Sequence, residues 1–305
     1  AGDLYGIILL PESATGADIE AARKLLIDRG AADGASSVVG VFWYSRTDIV
    51  NFNNVDLSGV TQANYAWNTC TALTSFDVPM PSLTSAVQTW RNCYVLESFS
   101  TQLPSLISAA GAWTFDNNLS DFRTTDIKNC TNFTSAWQGC SALTSFPAGA
   151  LLGTEANNVN FTSAWQSSGL TSFSTPLPSA TNVSQGWYQC ASLTSFSSDL
   201  SAATTANYAW LSCTSLTSFD TPLPSATQML LAWYNCSSLT SFSSELPLAA
   251  NANQAWLNCT SLTDFSVDVF ANWNPSSITS GVFNLAWDGC TALTAQSVEN
   301  ILTSI

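Results

Sequence analysis

The strongest constraint on the fold is a tryptophan that recurs about every 23 residues along most of the chain. Eleven of the twelve tryptophans follow this period, with successive steps of 24, 23, 23, 24, 28, 22, 23, 23, 23 and 31 residues. They are Trp43, Trp67, Trp90, Trp113, Trp137, Trp165, Trp187, Trp210, Trp233, Trp256 and Trp287. A fixed period of roughly 20–50 residues is the signature of a fold built from stacked repeats.

The residues around each tryptophan also recur at fixed offsets. Cysteine, leucine and phenylalanine follow at the third, sixth and ninth positions, as in Trp187, Cys190, Leu193 and Phe196. The unit reads A-W-x-x-C-x-x-L-T-S-F, followed by a segment such as D-T-P-L-P-S-A-T. A period of roughly 20–29 residues with leucine-type positions is typical of a leucine-rich repeat. We therefore predict a solenoid of about 23 residues per rung, with parallel L-T-S-F strands on one face and short helical or irregular A-W-x-x-C returns on the other.

Irregularities in the period divide the chain into three parts. Residues 43–293 form the predicted solenoid of eleven tryptophan-centred rungs, with insertions near 148–158 and 271–278. Residues 1–42 are predicted to be an N-terminal cap made of a short strand and a helix, because the exposed end of a solenoid needs a cover. Residues 294–305 are predicted to be a C-terminal capping helix that begins after Thr294 and places Val298, Ile301 and Leu302 inward.

The charge distribution excludes several classes of partner. Only 9% of residues are charged, against about 25% in an average soluble domain. The net charge is −14, and all 7 basic residues lie at or before Lys128. Nucleic-acid binding depends on Lys and Arg displacing counterions, so no nucleic acid is expected as a partner. No apolar run approaches the roughly 20 residues that span a bilayer, so no membrane insertion is expected.

The titratable residues argue against common catalytic and metal sites. The chain has no histidine, which rules out a Ser-His-Asp or Cys-His triad and a zinc site that contains histidine. Eight of the nine cysteines occupy the repeat column, and no C-x-x-C motif occurs. We therefore predict buried free thiols that fill space in the core, and no cofactor. Cys130 lies outside the column and is predicted to be the most accessible thiol.

The outward hydroxyls of the L-T-S-F strands are the main candidate binding residues. If Leu and Phe point inward, each Thr-Ser pair contributes to two hydroxyl columns on the strand face. The alternative is structural, because threonine suits a strand and serine is a small neutral filler. Trp273 stands out of register in an insertion and is a further candidate binding residue. The pairs are Thr74 and Ser75, Thr144 and Ser145, Thr171 and Ser172, Thr194 and Ser195, Thr217 and Ser218, and Thr240 and Ser241.

One pair of acidic residues raises the question of a calcium site. Glu245 and Asp268 each stand three residues after the phenylalanine of their rung, so the period places them in one column. Two stacked carboxylates could share a Ca²⁺ ion. A solvated acidic edge explains the same pattern, and we therefore predict no metal site, with calcium as the weaker alternative.

The repeat resembles that of the BspA-like leucine-rich repeat family, whose unit carries an A-F-x-x-C-x-x-L-x-x-I core and a proline after the strand. Tryptophan for phenylalanine and phenylalanine for isoleucine are the main departures, and the resemblance covers about residues 43–293. The flanking segments D-R-G-A-A-D-G, R-T-D-I-V-N-F and C-T-A-L-T-A-Q-S-V-E-N-I-L are similar to those of uncharacterised proteins from marine phages and bacteria. This resemblance implies surface display and attachment.

Together these features predict a surface-display or adhesion protein and not an enzyme. The leading hypothesis is a phage virion appendage, a fibre or decoration on the virion surface, that serves host attachment or assembly. The alternative is a bacterial cell-surface adhesin or a self-assembling filament subunit, and a third hypothesis is a carboxylate-based enzyme. The expected partners are a host-surface glycan or protein, other virion or surface subunits, or further copies of the chain.

Overall fold

The computed structural model describes residues 43–52, 56–123, 126–147, 158–271, 273 and 281–305. The predicted cap at residues 1–42 and most of the two predicted insertions lie outside these ranges. Within them the chain winds as a solenoid whose rungs repeat with the tryptophan period, as the sequence predicts. Each rung has two short strand segments and one turn segment around the tryptophan, with the apolar side chains pointing to a common interior.

The strands are only two or three residues long, because each rung bends sharply on either side of them. Eight of the ten end on the repeat phenylalanine, and their partners along the stack match residue for residue, as in Ser172↔Ser195 and Phe173↔Phe196. The strands are β1 Ser75–Phe76, β2 Ser98–Phe99, β3 Asp121–Phe122, β4 Val159–Asn160, β5 Ser172–Phe173, β6 Ala180–Asn182, β7 Ser195–Phe196, β8 Ser218–Phe219, β9 Ser241–Phe242 and β10 Asp264–Phe265.

A second parallel ladder runs along another side of the solenoid and was not predicted. Strands β4 and β6 belong to it and pair with each other, whereas β5 pairs with β7. Strands that pair are not always consecutive in the chain, because each rung contributes to both ladders. Isolated parallel bridges extend the second ladder to both sides of β4 and β6. Its successive positions are Gln62, Ser85, Ser108, Asn132, Asn160, Asn182, Thr205, Gln228 and Asn251.

The segment around each tryptophan is a series of turns and contains no helix, so of the two predicted forms the irregular one is correct. The residues two before and two after the tryptophan have left-handed backbones, as at Tyr208 (φ 60°) and Ser212 (φ 58°). Alternate N–H groups donate to the next rung, as from Trp210 to the carbonyl of Ala232 at 2.8 Å. The N–H groups between them close turns, as from Cys213 to the carbonyl of Trp210 at 3.0 Å.

The spacing of the rungs explains why a helix does not form there. Neighbouring indole rings of the column lie 5.2–5.7 Å apart, with ring planes within 9° of parallel. An α-helix with its side chains is about 10–12 Å wide, so consecutive rungs could not each carry one at this spacing. Stacked turns instead let half of the backbone N–H groups bond to the neighbouring rung.

Two aromatic columns fill the interior. All eleven repeat tryptophans stack in one continuous series, from Trp43 to Trp287. The repeat phenylalanines stack beside them, and within each rung from Trp67 to Trp256 the Trp and Phe rings meet edge-on at 4.6–5.2 Å. Offset-stacked and edge-to-face contacts are the favourable geometries for aromatic rings, so the packing is close to ideal for this composition.

The predicted C-terminal helix is present as α1, Ala295–Ser304. Thr294 is its N-cap, and its side chain accepts a hydrogen bond from the N–H of Ser297 at 3.2 Å. Ser297 Oγ in turn donates to the carbonyl of Thr263 and accepts from the N–H of Phe265. Side chains of α1 therefore satisfy backbone groups at the open edge of β10, which a sheet edge otherwise leaves unpaired.

The inward face of α1 differs from the prediction. Ile301 is buried as predicted, but Val298 and Leu302 are 42% and 69% exposed. Ser297 takes the inward position with Ile301, because its hydroxyl bonds to the edge of β10. The backbone groups at the edge of β10 need hydrogen-bond partners, so the side of the helix that carries Ser297 faces them. Part of the apolar stripe of α1 faces solvent as a result.

Candidate functional site

The structure places the predicted Thr-Ser pairs on the outer face of the strand column. In each pair the following phenylalanine is buried, so the two hydroxyl side chains point away from the core. Both members of the pairs at 144–145, 171–172, 194–195 and 217–218 are exposed, while Thr74, Ser75 and Ser241 are half-buried. The hydroxyl columns exist as predicted; whether they bind a ligand stays a prediction.

The threonine column has a structural role that the sequence did not reveal. Thr194 Oγ1 and its own N–H both donate to the carbonyl of Thr171, at 2.9 and 2.8 Å. The same pair of bonds recurs two and three rungs on, where Thr240 Oγ1 donates to the carbonyl of Thr217 at 2.9 Å and Thr263 Oγ1 to that of Thr240 at 3.1 Å. Five of the six threonines in the pairs make this bond to the preceding rung, which uses their hydroxyl protons within the fold. They are Thr74, Thr171, Thr194, Thr217 and Thr240.

The serine column is the part of this face that is available to a ligand. Within the described ranges, the hydroxyls of the serines in the pairs donate to no protein group, and they stand between the threonine column and the buried phenylalanines. Register along the stack aligns them, as in Ser75↔Ser98 and Ser218↔Ser241. They are Ser75, Ser145, Ser172, Ser195, Ser218 and Ser241.

A matched pair of variants separates these two roles. We expect Thr194→Val to lower the free energy of unfolding by about 0.5–1.5 kcal/mol, because it removes one inter-rung hydrogen bond. Ser195→Ala should change it by less than about 0.5 kcal/mol, since an exposed hydroxyl without a protein partner contributes little. Urea unfolding followed by circular dichroism measures both values. Equal losses from the two variants would contradict the structural role of the threonine column.

The second ladder adds a half-buried polar column that the sequence analysis missed. Its amides are held by local hydrogen bonds: Asn160 Oδ1 accepts from the N–H and the hydroxyl of Thr162, at 2.9 and 2.7 Å. Asn132 bonds to Thr134 in the same way. A polar residue five positions before each tryptophan from Trp67 to Trp256 was the signal that could have found this column.

Trp273 lies against the core and not on an open surface. Its ring is half-buried, and its Nε1 donates to the carbonyl of Ala249 at 2.9 Å. It also packs against Phe270 and Phe283, with ring centroids 6.2 and 5.3 Å away. Because its polar atom and part of its ring are engaged within the chain, we do not include it in the surface proposed below.

Glu245 and Asp268, the weaker alternative for a calcium site, are exposed but not in the same register. Leu223 N donates to the carbonyl of Glu245 at 3.1 Å, so the period predicts a bond from Leu246 N to the carbonyl of Asp268. Leu246 N instead donates to Val269 at 2.6 Å, because the 3₁₀ helix Val267–Phe270 shifts the backbone by one residue. No group of three or more Asp, Glu or Cys side chains in the described part of the chain could hold a metal ion.

All nine cysteines are free and buried, as predicted for the repeat column. The column thiols do more than fill space, because each donates to the carbonyl of the tryptophan in the preceding rung. Examples are Cys213 Sγ to Trp187 and Cys236 Sγ to Trp210, both at 3.1 Å. Each thiol therefore adds a second donor to a turn carbonyl that already accepts an N–H group, as the carbonyl of Trp210 does from Cys213.

The prediction that Cys130 is the most accessible thiol is wrong. Cys130 has no exposed surface, because the inter-rung bond from Thr131 N to the carbonyl of Ile107 aligns it with the buried Leu106. Burial raises the pKa of its thiol to about 12. We expect a disulfide reagent at pH 8 to modify the native protein slowly and to react first with Cys290, which is 8% exposed. Fast labelling of Cys130, located by peptide mass spectrometry, would contradict this placement.

Asp116 replaces cysteine in one rung and is the one fully buried carboxyl of the described chain. Its Oδ1 accepts a hydrogen bond from the N–H of Cys93 at 2.8 Å, whereas its Oδ2 has no partner among the described residues. Burial raises the pKa of Asp116 well above its usual value, and the hydrogen bond from Cys93 only partly opposes this. The sequence showed that this position departs from the repeat, but it did not show that the carboxyl is buried.

A known repeat family and several solved structures are similar to this chain. The family model "BspA type Leucine rich repeat region" matches residues 60–176 and 162–305, with six copies. A leucine-rich repeat protein from Bacteroides ovatus is 16% identical and covers 84% of this chain and 80% of its own, with a TM-score of 0.35. A leucine rich cell surface protein from Faecalibacterium prausnitzii is 14% identical and covers 68% and 76%, with a TM-score of 0.31.

A third solved structure, the TLR13-ssRNA13 complex, is 11% identical, covers 80% of this chain and 41% of its own, and has a TM-score of 0.27. No curated protein sequence matches the chain. The similarity to solved structures carries no argument about what this chain binds. No helix among the described residues is both long and apolar enough to cross a membrane.

Proposed function

The chain belongs to the BspA-type leucine-rich repeat family, and from this premise we propose that it is a non-enzymatic surface-display protein that binds a host-surface glycan or protein. The observation that carries the proposal is the repetition of outward polar groups at the rung spacing, above all the serine column of the strand face. Equivalent groups at a short fixed interval favour multivalent binding, in which weak contacts add to a strong one.

We further propose that the chain is a phage virion appendage, a fibre or decoration exposed on the virion surface, that attaches the particle to its host. The similarity of its flanking segments to proteins of marine phages supports this location. The solenoid is held together by stacked rings and its cysteines are free, so it needs no disulfide to form. This also supports the proposed location.

The test is direct binding of the purified chain to candidate host cells, together with antibody labelling of virions in electron micrographs. We expect saturable binding and competition with phage adsorption. A variant with Ser172, Ser195 and Ser218 changed to lysine should fold but bind more weakly, since it alters the exposed column without touching the core. Equal binding by both chains would contradict a role for the strand face.

The alternative, a bacterial surface adhesin or a filament subunit, is favoured by one feature. Helix α1 exposes Val298 and Leu302, at 42% and 69%, and Ile305 directly after it is 44% exposed. A second copy of the chain could cover this stripe. Sedimentation of the purified chain at increasing concentration tests this, with Leu302→Lys as the control that should abolish any assembly. Assembly that the lysine leaves unchanged would contradict the role of the stripe.

A further inference from the structure

One turn segment departs from the repeat on the outside of the solenoid. The position two residues after each tryptophan has a left-handed backbone, and Phe115 (φ 63°) is its one aromatic residue in the described ranges. A left-handed conformation costs a side chain about 1–2 kcal/mol, which glycine avoids. Phe115 is nevertheless 38% exposed. The repeat imposes this conformation on every rung, so the exposed aromatic side chain is what sets Phe115 apart. The other residues of this column are Ser45, Thr69, Asn92, Gly139, Ser167, Gln189, Ser212, Asn235, Asn258 and Gly289.

Neighbouring rungs hold the Phe115 ring from two sides. On the following rung, a Cβ atom added to Gly139 would collide with the ring, so the ring lies over that glycine. On the preceding rung, the guanidinium carbon of Arg91 lies 5.9 Å from the ring centroid, in cation–π range. The glycine leaves room for the ring, and the guanidinium of the arginine lies over it.

Arg91 is a cation with no counterion among the residues that the structure describes. Arg46 and Arg123 pair with Asp48 and Asp121. Arg91 makes no ion pair within the described chain, and its Nη1 instead donates to Gln88 Oε1 at 2.9 Å. Its Nε is buried without a hydrogen-bond partner among the described residues. The planar end of a guanidinium fits a carboxylate through two parallel hydrogen bonds, which makes a carboxylate the natural ligand for this group.

Gln88 and Phe115 frame this arginine at the surface. Gln88 Oε1 accepts a hydrogen bond from Nη1 of Arg91, and the guanidinium carbon lies 5.9 Å from the centroid of the partly exposed Phe115 ring. A sugar uses such a combination, because its C–H face packs on an aromatic ring while its hydroxyls bond to amides.

We propose that Arg91, Phe115 and Gln88 form a binding site for a sugar unit that carries a carboxylate. The site rests on the proposed function and names the class of glycan: the carboxylate pairs with Arg91, and the sugar ring packs on the exposed part of the Phe115 ring. The chain carries a net charge of −14, which repels polyanions. The ligand is therefore a largely neutral glycan with isolated carboxylates and not a heavily sulfated polymer.

The experiment is calorimetric titration of the full chain with an oligosaccharide that ends in a sialic or uronic acid, and with its methyl ester. We expect the acid to bind, and the ester and the variant Arg91→Gln each to bind at least tenfold more weakly. Phe115→Ser should also weaken binding and should fold, because serine occupies the equivalent positions 167 and 212. Arg123→Gln is the matched control, and its binding should equal that of the unmodified chain.

Several results would overturn the site. Equal binding of acid and ester, equal binding by Arg91→Gln, or tight binding of heparin that Arg91→Gln retains would each exclude it. Failure of the site and failure of the proposed function are distinguishable, because the chain could still bind host cells through its strand face. Host-cell binding that survives Arg91→Gln would leave the proposed function intact and remove this site from it.

Discussion

Replacing Trp210 with alanine should lower the free energy of unfolding by about 3–5 kcal/mol, the range for large aromatic residues in well-packed cores. Trp210 has no exposed surface. It stacks on Trp187 and Trp233 at 5.5 and 5.3 Å, and it meets Phe219 edge-on at 4.6 Å. In a solenoid each rung contacts only its neighbours, so a gap here weakens the coupling between the two halves of the stack.

Two further variants control for the position and the chemistry of this change. Trp287→Ala, at the last and half-buried ring of the column, should cost less, because it stacks on one indole instead of two. Trp210→Phe should also cost less than alanine, since the indole N–H of Trp210 makes no hydrogen bond that could be lost. Urea unfolding followed by circular dichroism gives the three values. Equal losses at Trp210 and Trp287 would show that the column is not the main source of stability.

Changing Asp116 to cysteine should stabilise the protein by about 1–3 kcal/mol near pH 8, the cost of an unsatisfied buried polar group. Cysteine is the residue that the repeat places there, and its thiol would donate to the carbonyl of Trp90 as the other column thiols do to theirs. The N–H of Cys93 loses one acceptor but keeps the carbonyl of Trp90 at 3.2 Å. Thermal unfolding of the two chains measures the gain.

The same carboxyl makes stability depend on pH. Burial raises the pKa of Asp116 in the folded chain above the value of about 3.9 in an unfolded one. Between these two pKa values the folded chain binds the proton and the unfolded chain does not, so stability falls as pH rises. The contribution is fully present below about pH 4 and is lost as pH approaches the folded pKa.

Asp116→Asn isolates this effect from the other acidic residues. Asparagine keeps an oxygen for the N–H of Cys93 but does not titrate, so the difference in stability between the two chains should grow in favour of asparagine from pH 4 to pH 8. The remaining carboxyls are common to both chains and cancel in the comparison. A difference that stays constant over this range would mean that Asp116 does not titrate abnormally.

The spacing of Trp187, Cys190, Leu193 and Phe196 was enough to predict the interior of the solenoid. Residues at the same position in successive repeats become stacked neighbours, and large apolar residues at a fixed period must share one interior. The outward direction of the Thr-Ser pairs followed from placing the leucine and the phenylalanine on either side of them in the core. The period also located the irregular rungs, among them the one that contains Asp116 and Phe115.

The bonds between rungs could not be predicted in the same way. Thr194 and Ser195 look equivalent in the sequence, yet only the threonine hydroxyl reaches the preceding rung. Cys130 lies outside the cysteine column, but the register across an irregular step returned it to the interior. Arg91 and Phe115 are 24 residues apart, and nothing local relates them.

Sequence alone determined that the chain is a stack of equivalent rungs and which side chains line its interior, because a hydrophobic pattern of fixed period is a local property that survives any detail of the backbone. Only the tertiary structure decided that the tryptophan segments are left-handed turns and not helices. A helix satisfies its N–H groups within itself, whereas rungs about 5 Å apart offer carbonyls to one another. Hydrogen bonds between repeats decide between helix and turns, and they also decide which outward side chains stay free to bind a partner.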